Sequence, residues 1–165
     1  MSTDTQLCPR VHIATDHAGL DLSADLVRRL AAKGYEVVDH GPKTYDPQDD
    51  YPAFCIRAAR AVITDQQSGR HALGIVLGGS GNGEQIAANK VKGIRAALVW
   101  NHSTAVLARE HNDANVVALG ARQHSAQETF DLVEAFLQTP FSNDERHARR
   151  IGQIAHFENA GSAME

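Results

Sequence analysis

Short runs of apolar residues alternate along this chain with longer segments in which apolar positions recur at helical spacing. The apolar runs, which predict five strands, are VHIAT (11–15), EVVD (36–39), LGIVL (73–77), AALVW (96–100) and VVALG (116–120). The segments that predict the helices between and after them are residues 20–33, 51–65, 83–89, 103–111 and 125–138. Because strands and helices alternate throughout, the sequence predicts an α/β fold with a parallel sheet covered by helices on both faces.

A further helix is predicted over residues 144–159, after the last strand. Two Ser-x-x-Glu pairs at Ser125 and Ser142 match the capping-box pattern at the starts of the last two helices, and Pro140 separates those helices. Since no strand follows the final helix, we expect it to pack on its own subunit or on a neighbouring one. Such a helix suits a dimer.

Length and composition indicate one globular domain. With 165 residues and 42% hydrophobic content, the chain fits a single domain over 1–165, with flexible tails expected at 1–8 and 160–165. A net charge of −4 and a pI near 6.1 favour neither nucleic acid nor an anionic membrane as a partner. We recognise no secretory signal or transmembrane span, so the sequence predicts a cytoplasmic protein. Cys8 and Cys55 lack CxxC spacing and are expected to be free thiols.

The segment that says most about function follows the third predicted strand. It is a glycine-rich loop, with Gly78, Gly79, Gly81 and Gly83, that ends at Glu84. Such a loop brings bare backbone N–H groups close to a ligand and favours an anion. Its first and last glycines have the spacing of a P-loop, but Glu84 stands where a P-loop carries its lysine. The loop amides could instead hold a developing oxyanion beside the carboxylate, which suits proton transfer next to a carbonyl. The alternatives are a tight turn and a first-turn acid that complements the helix dipole.

Polar residues also follow other strand ends. Asp16 and His17 come after the first strand, and Arg122 comes after the fifth. Ligands in open parallel sheets bind beyond the carboxyl ends of the strands, particularly where the strand order reverses. If the first and third strands adjoin there, Asp16 and Glu84 face one crevice. Taken singly, Asp16 could be a helix N-cap and His17 a surface histidine.

Two further groups lie on helices. His111 and Asn112 end the fourth predicted helix, where they could complement the helix dipole or supply an acid–base group. Arg146 and Arg150 share one face of the last helix, and two guanidinium groups can grip one phosphate; the alternative is a solvated cationic stripe. We expect no metal site, because no histidine pair has strong ligand spacing and the acidic segment DPQDDYP (46–52) lacks an EF-hand pattern.

Together, five segments resemble the type B ribose-5-phosphate isomerases, a family that includes allose-6-phosphate and galactose-6-phosphate isomerases. The resemblance covers residues 10–157. Its carriers are ATDHAG (14–19), DDYPAFC (49–55), GIVLGGSGNGEQIAANKVKGIRAAL (74–98), AREHNDANVVALGAR (108–122) and RHARRI (146–151). It implies a three-layer αβα sandwich of Rossmann-like or flavodoxin-like kind, no cofactor, and a homodimer with active sites at its interface; a tetramer is a further alternative.

The resemblance also implies roles for single residues. Many members carry a catalytic cysteine where this chain has Gly78, and Cys55 does not replace it. The chain is similar instead to the actinobacterial branch, in which the glutamate matching Glu84 transfers the proton. Asp16 and His111 match the groups implicated in opening the sugar ring. The residues that match the enediolate-binding loop and the substrate contacts are Ser80, Gly79, Gly81, Asn82, Gly83 and Asn112. Those that match the phosphate contacts are His17, Arg122, Arg146 and Arg150, the last two expected from the partner subunit.

The implied reaction interconverts D-ribose 5-phosphate and D-ribulose 5-phosphate through ring opening and a cis-enediolate, a step of the non-oxidative pentose phosphate pathway. Glu84 would remove the C2 proton and return it to C1. Two alternatives stay open at this point: an isomerase of allose or galactose 6-phosphate, and a non-catalytic flavodoxin-like module that binds a nucleotide, flavin or sugar phosphate. Which of Asp16, His17 and His111 acts as acid or base in ring opening also stays open.

Overall fold

The computed structural model describes residues 8–161. Its five strands form one parallel sheet in the order β2-β1-β3-β5-β4. The strands are β1 (Arg10–Thr15), β2 (Val37–Asp39), β3 (Ala72–Gly78), β4 (Ala96–Leu98) and β5 (Val116–Gly120). All five predicted strands are confirmed. β4 ends two residues before its predicted end, because its pairing with β5 stops at Leu98.

Six α-helices accompany the sheet, and a short 3-10 turn, His17–Gly19, follows β1. The helices are α1 (Leu20–Ala32), α2 (Tyr51–Gln67), α3 (Asn82–Ala88), α4 (His102–Asn112), α5 (Ala126–Gln138) and α6 (Glu145–Ala160). One apolar core joins α1, α4 and α5 to one face of the sheet, and a second core joins α2 and α3 to the other. The three-layer αβα sandwich is therefore confirmed.

β3 is the central strand, and every one of its residues is buried. It pairs with β1 on one side and β5 on the other, so its backbone polar groups are satisfied without water. Because side chains alternate across a strand, Ile75 enters the core under α1 and α5 while Val76 enters the core under α2 and α3. This double burial explains why the sequence of β3 is continuously apolar.

The strand order differs at one edge from the flavodoxin-like order 2-1-3-4-5, because β5 lies between β3 and β4. The switch point between β1 and β3 is kept: the chain leaves β1 to one side for β2 and then crosses to β3. The loops that follow β1 and β3 therefore open at the same place on the carboxyl edge of the sheet.

One of the two predicted capping boxes is confirmed. At the start of α5, Ser125 Oγ accepts from the Glu128 N–H at 3.2 Å, and Glu128 Oε2 accepts from the Ser125 N–H at 2.8 Å. The prediction for Ser142 is wrong. α6 is capped at Asp144, and Ser142 Oγ instead lies 2.8 Å from Nδ1 of His147. The physical reason is the left-handed turn at residue 143, which holds Ser142 outside the helix.

α6 contacts the rest of the molecule at both ends: through its first turn, and near its end through Glu158 Oε2, which accepts from the Gly93 N–H at 2.9 Å. His147 is buried, and the Ser142 N–H just before the helix donates to the Glu110 carbonyl at 3.0 Å. Further along, Ile154 and Phe157 are 55% and 56% exposed. α6 thus leaves much of its apolar surface uncovered within one subunit. Among the helices of residues 8–161, none is both long and apolar enough to cross a membrane.

Candidate active site

A cleft of about 510 Å³ opens at the switch point between β1 and β3. Its lining brings together groups that are far apart in sequence: Asp16, Tyr51, Gly79, Ser80, Gly83, Glu84, Arg122 and Gln123. Asp16 and Glu84 face one crevice, as the adjacency of the first and third strands predicts. Ligand sites occur at such switch points in open α/β sheets.

The glycine-rich loop lies against β5 without intervening side chains. Gly81 has a φ of +83° and caps the start of α3. A Cβ atom there would come within 2.8 Å of the Leu119 carbonyl carbon and of Leu98 Cδ1. A side chain at this position would therefore meet backbone that has no room to move, which is why the turn requires glycine.

Glu84 lies in the first turn of α3, is 4% exposed, and reaches back to the end of β3. A Cβ on Gly78 would lie only 1.9 Å from Glu84 Oε1 and 2.1 Å from its Cδ. The absent side chain of Gly78 is thus the space that the carboxyl group fills. Burial raises the pKa of Glu84, the negative charge of Asp16 raises it further, and a backbone hydrogen bond opposes both.

Asp16 and His17 occupy the neighbouring turn after β1. Asp16 is buried, and its Oδ1 accepts from the Ala18 N–H at 2.9 Å. Nδ1 of His17 lies 2.6 Å from Oδ1 of Asp49, which comes from the loop before α2. One atom each of Asp16, His17 and Asp49 lie within 4.8 Å of one another, a spacing that could hold a metal ion. The side chains of Asp16 and His17 already form hydrogen bonds, so the three residues make up a polar network.

Ser80 and Arg122 also line the cleft, and both residues are exposed. Ser80 Oγ accepts from the N–H of Asn82 at 3.3 Å and from its Nδ2 at 3.1 Å. The Arg122 N–H donates to the Gly79 carbonyl at 3.2 Å, and its guanidinium lies over Gly79. A hydroxyl group and a cation therefore flank the glycine-rich loop that lines the cleft.

His111, Asn112, Arg146 and Arg150 are not in this cleft. α4 runs from the carboxyl end of β4 to the start of β5, so its last residues lie at the opposite edge of the sheet, roughly 16 Å of helix away. There the ring of His111 stacks on that of His147 with centroids 4.2 Å apart. Burial lowers the pKa of His147, and the charges of His111, Arg146 and Arg150 lower it further. The predicted site residues thus form two separate groups within one subunit.

Sequence reasoning missed several groups at these places. Tyr51 lines the cleft, and its ring packs where a Cβ of Gly83 would come within 2.5 Å. Asp49 lies in the acidic segment 46–52, for which the sequence predicted no metal site and no other role, but it pairs with His17. The one sequence feature that relates to Tyr51 is the glycine at position 83, which leaves room for the Tyr51 ring. The contact itself joins loops that are distant in sequence, so the spacing of residues could not predict it.

Cys55 is buried beneath the cleft, and burial, with the charge of Glu84, raises the pKa of its thiol.

Comparison with known proteins gives concordant matches. The model of a family described as Ribose/Galactose Isomerase matches residues 11–154. Ribose-5-phosphate isomerase B of Mycobacterium tuberculosis H37Rv is 50% identical over 154 residues, which cover 93% of each chain. Among solved structures, ribose-5-phosphate isomerase B of Mycoplasma genitalium with bound ribulose-5-phosphate is similar with a TM-score of 0.85 and 42% identity, covering 91% of this chain and 96% of that one. The type B ribose 5-phosphate isomerase of Trypanosoma cruzi is similar with a TM-score of 0.86 and 40% identity, covering 94% of this chain and 100% of that one.

Proposed function

The chain belongs to the ribose/galactose isomerase family, and we propose that it is an aldose–ketose isomerase that interconverts D-ribose 5-phosphate and D-ribulose 5-phosphate. The observation that carries this proposal is the buried carboxyl group of Glu84, which shares with Asp16 a cleft lined by a glycine-rich loop. A base, an oxyanion-binding loop and polar groups for ring opening are the parts that this reaction needs.

The first step opens the sugar ring. The bond between C1 and the ring oxygen O4 breaks as a base takes the O1 proton and an acid gives a proton to O4. We assign this acid–base pair to Asp16 and to His111 of a second subunit. Asp16 lies in the cleft, whereas His111 lies at the far edge of its own subunit and can reach the reaction only across a dimer.

The second step moves hydrogen between carbons. Glu84 removes the C2 proton of the open aldehyde, and the loop amides of Gly79 to Gly83, with Ser80, stabilise the negative charge on the enediolate. Glu84 then returns the proton to C1 while the hydroxyl proton passes from O2 to O1. A raised pKa makes Glu84 a stronger base, which suits removal of a weakly acidic C–H proton.

The phosphate group would contact cations from both subunits. His17 and Arg122 lie in the group around the cleft. Arg146 and Arg150 lie in the group around His111, and Asn112 belongs to that second group. A homodimer that places one group opposite the other completes two equal sites. The exposed apolar side chains of α6, Ile154 and Phe157, support such an interface, because burial in a partner would remove them from water.

The direct test is an assay of aldose-to-ketose conversion with ribose 5-phosphate, allose 6-phosphate and galactose 6-phosphate. We expect ribose 5-phosphate to have the highest kcat/KM, and ribulose 5-phosphate to acquire deuterium from heavy water during turnover. Preference for a hexose 6-phosphate would assign the chain to the other branch of its family. Binding of a sugar phosphate without any conversion or deuterium exchange would identify a non-catalytic module and refute the proposal.

A further inference from the structure

One carboxylate holds both the backbone and the ring of His17. Oδ1 of Asp49 accepts from the His17 N–H at 3.1 Å and lies 2.6 Å from its Nδ1. The Asp49 side chain is 9% exposed, whereas that of His17 is 24% exposed. Asp49 thus lies behind the imidazole as seen from solvent, and the two contacts leave the ring little freedom to rotate.

The protonation of the ring follows from this contact. An ionised carboxylate can only accept hydrogen bonds, so Nδ1 of His17 carries a proton. Nε2 can then donate to a ligand only if the ring holds a second proton and is cationic.

The second oxygen of Asp49 strengthens the argument. Oδ2 is buried, and none of residues 8–161 makes a hydrogen bond to it. A buried carboxylate is costly unless a positive charge lies beside it. His17 is the hydrogen-bonded neighbour of Asp49, so the contact with its N–H and its ring ties the buried carboxylate to this one residue.

We propose that Asp49 is a positioning residue that fixes the imidazole of His17, with Nδ1 held by the Asp49 carboxylate and Nε2 presented to the phosphate group of the substrate. Asp49 itself does not touch substrate. This inference rests on the proposed function, in which His17 contacts the phosphate. It adds the residue that gives His17 its orientation, and it explains why an acid from a loop more than thirty positions away is packed against the turn after β1.

The experiment measures the affinity for inorganic phosphate by calorimetry in four proteins: the unmodified chain, Asp49→Asn, His17→Ala and the double variant. Asparagine keeps the Oδ1 acceptor, removes the charge and puts an NH2 group in place of the buried Oδ2. We expect Asp49→Asn to weaken phosphate binding about tenfold, a typical effect of losing one charge-assisted contact. With His17→Ala already present, Asp49→Asn should have no additional effect, because the pair acts as a unit.

Kinetics with ribose 5-phosphate supply a second measurement. Asp49→Asn should raise KM by a similar factor while kcat changes by less than about threefold, since only binding interactions are removed. Asp49→Glu, which keeps the charge, should recover part of the affinity. The matched control is Asp50→Asn: Asp50 is the exposed neighbour at the start of α2 and its side chain makes no capping hydrogen bond, so phosphate affinity should stay unchanged.

The results separate this inference from the proposed function. Phosphate binding does not require turnover. If no sugar phosphate is isomerised but Asp49→Asn weakens phosphate binding only when His17 is present, the proposed function fails and the role of Asp49 stands. If turnover is normal and Asp49→Asn binds phosphate like the unmodified chain, or loses as much affinity without His17 as with it, the role of Asp49 is overturned. Thermal melting shows whether each variant is folded; if Asp49→Asn is not, Asp49→Glu against His17→Ala gives the same comparison.

Discussion

At the scale of single residues, Glu84 and Gly78 form one unit. The carboxyl group of Glu84 occupies the space that any side chain at position 78 would fill. Burial then raises the pKa of Glu84, and the charge of Asp16 adds to that effect. A carboxyl group in a pocket, with a like charge nearby, is the arrangement by which proteins turn a weak base into one suited to neutral pH.

Glu84→Gln tests the proposed base. Glutamine keeps the shape but accepts no proton, so kcat should fall by about two to four orders of magnitude. The variant should also be more stable than the unmodified chain at pH 8. A raised folded-state pKa means that the native state binds this proton more tightly than the unfolded state, so the contribution of Glu84 to the free energy of unfolding falls as pH rises through that pKa. Near-normal turnover in a folded Glu84→Gln protein would exclude the assignment.

The pH profile tests the cause of the raised pKa. Because Glu84 must be ionised to act as a base, kcat/KM should fall on acidification at a higher pH than an ordinary carboxyl group, whose pKa is about 4.3, would give. Asp16→Asn removes a negative charge and should move this acid limb to lower pH, whatever it does to the absolute rate. Burial contributes more than Asp16, so the shift should be partial. An unmoved limb would mean that the titrating group is not Glu84.

At the scale of elements, the site is a property of the β3–α3 connection. β3 is held on both sides by strands, and the loop that follows lies directly on the backbone of β5. The glycines of this loop have different tasks: Gly78 makes room for a side chain, whereas Gly81 adopts a left-handed conformation and leaves no space for a Cβ atom. Substitution should separate these tasks.

Gly78→Ala should reduce kcat at least about tenfold, because its Cβ would lie 1.9 Å from Glu84 Oε1 and must displace the carboxyl group, and a misplacement of ~1 Å can slow catalysis about a hundredfold. Stability should change little, since the atoms in the way are the end of a flexible side chain. Gly81→Ala is the matched contrast: it places a Cβ against backbone at positive φ and should destabilise the fold by roughly 1–3 kcal/mol. Thermal melting and steady-state kinetics on both variants distinguish the two effects. Equal stability losses would contradict the division of tasks.

At the scale of the whole molecule, the predicted site residues form two groups at opposite edges of the sheet. Glu84 and Asp16 lie at the carboxyl edge, and His111 lies at the far end of α4 beside the first turns of α6. No motion of side chains within one subunit could bridge a helix length of about 16 Å. The two groups can act together only if each cleft is completed by a second copy of the chain.

Mixing two impaired variants, assayed at a substrate concentration well below KM, tests this arrangement. Glu84→Gln removes the base of one group, and Arg150→Ala removes a phosphate contact of the other. In a heterodimer both defects fall in the same cleft and the second cleft is intact, so random pairing of equal amounts should restore about a quarter of normal activity. Arg149→Ala is the matched control for the arginine, because Arg149 lies next to Arg150 but pairs with Glu145. No recovery in verified heterodimers would show that each subunit has a self-contained site.

The sequence by itself determined the alternation of strands and helices, the positions of Asp16, Glu84 and Arg122 at strand ends, and the glycines of the loop. These features are local: they depend on the period of apolar residues, on backbone conformation and on the chain direction of parallel strands. Resemblance to a family then supplied the roles that local patterns left open.

The tertiary structure alone decided which residues meet. It placed β1 beside β3, inserted β5 before β4, moved Ser142 out of the predicted cap, and brought Asp49 to His17. It also separated His111 from Glu84, although both belong to the predicted site. Such contacts depend on the packing of segments that are distant in sequence, and the physical reason they escape sequence patterns is that burial and charge are properties of neighbours in space.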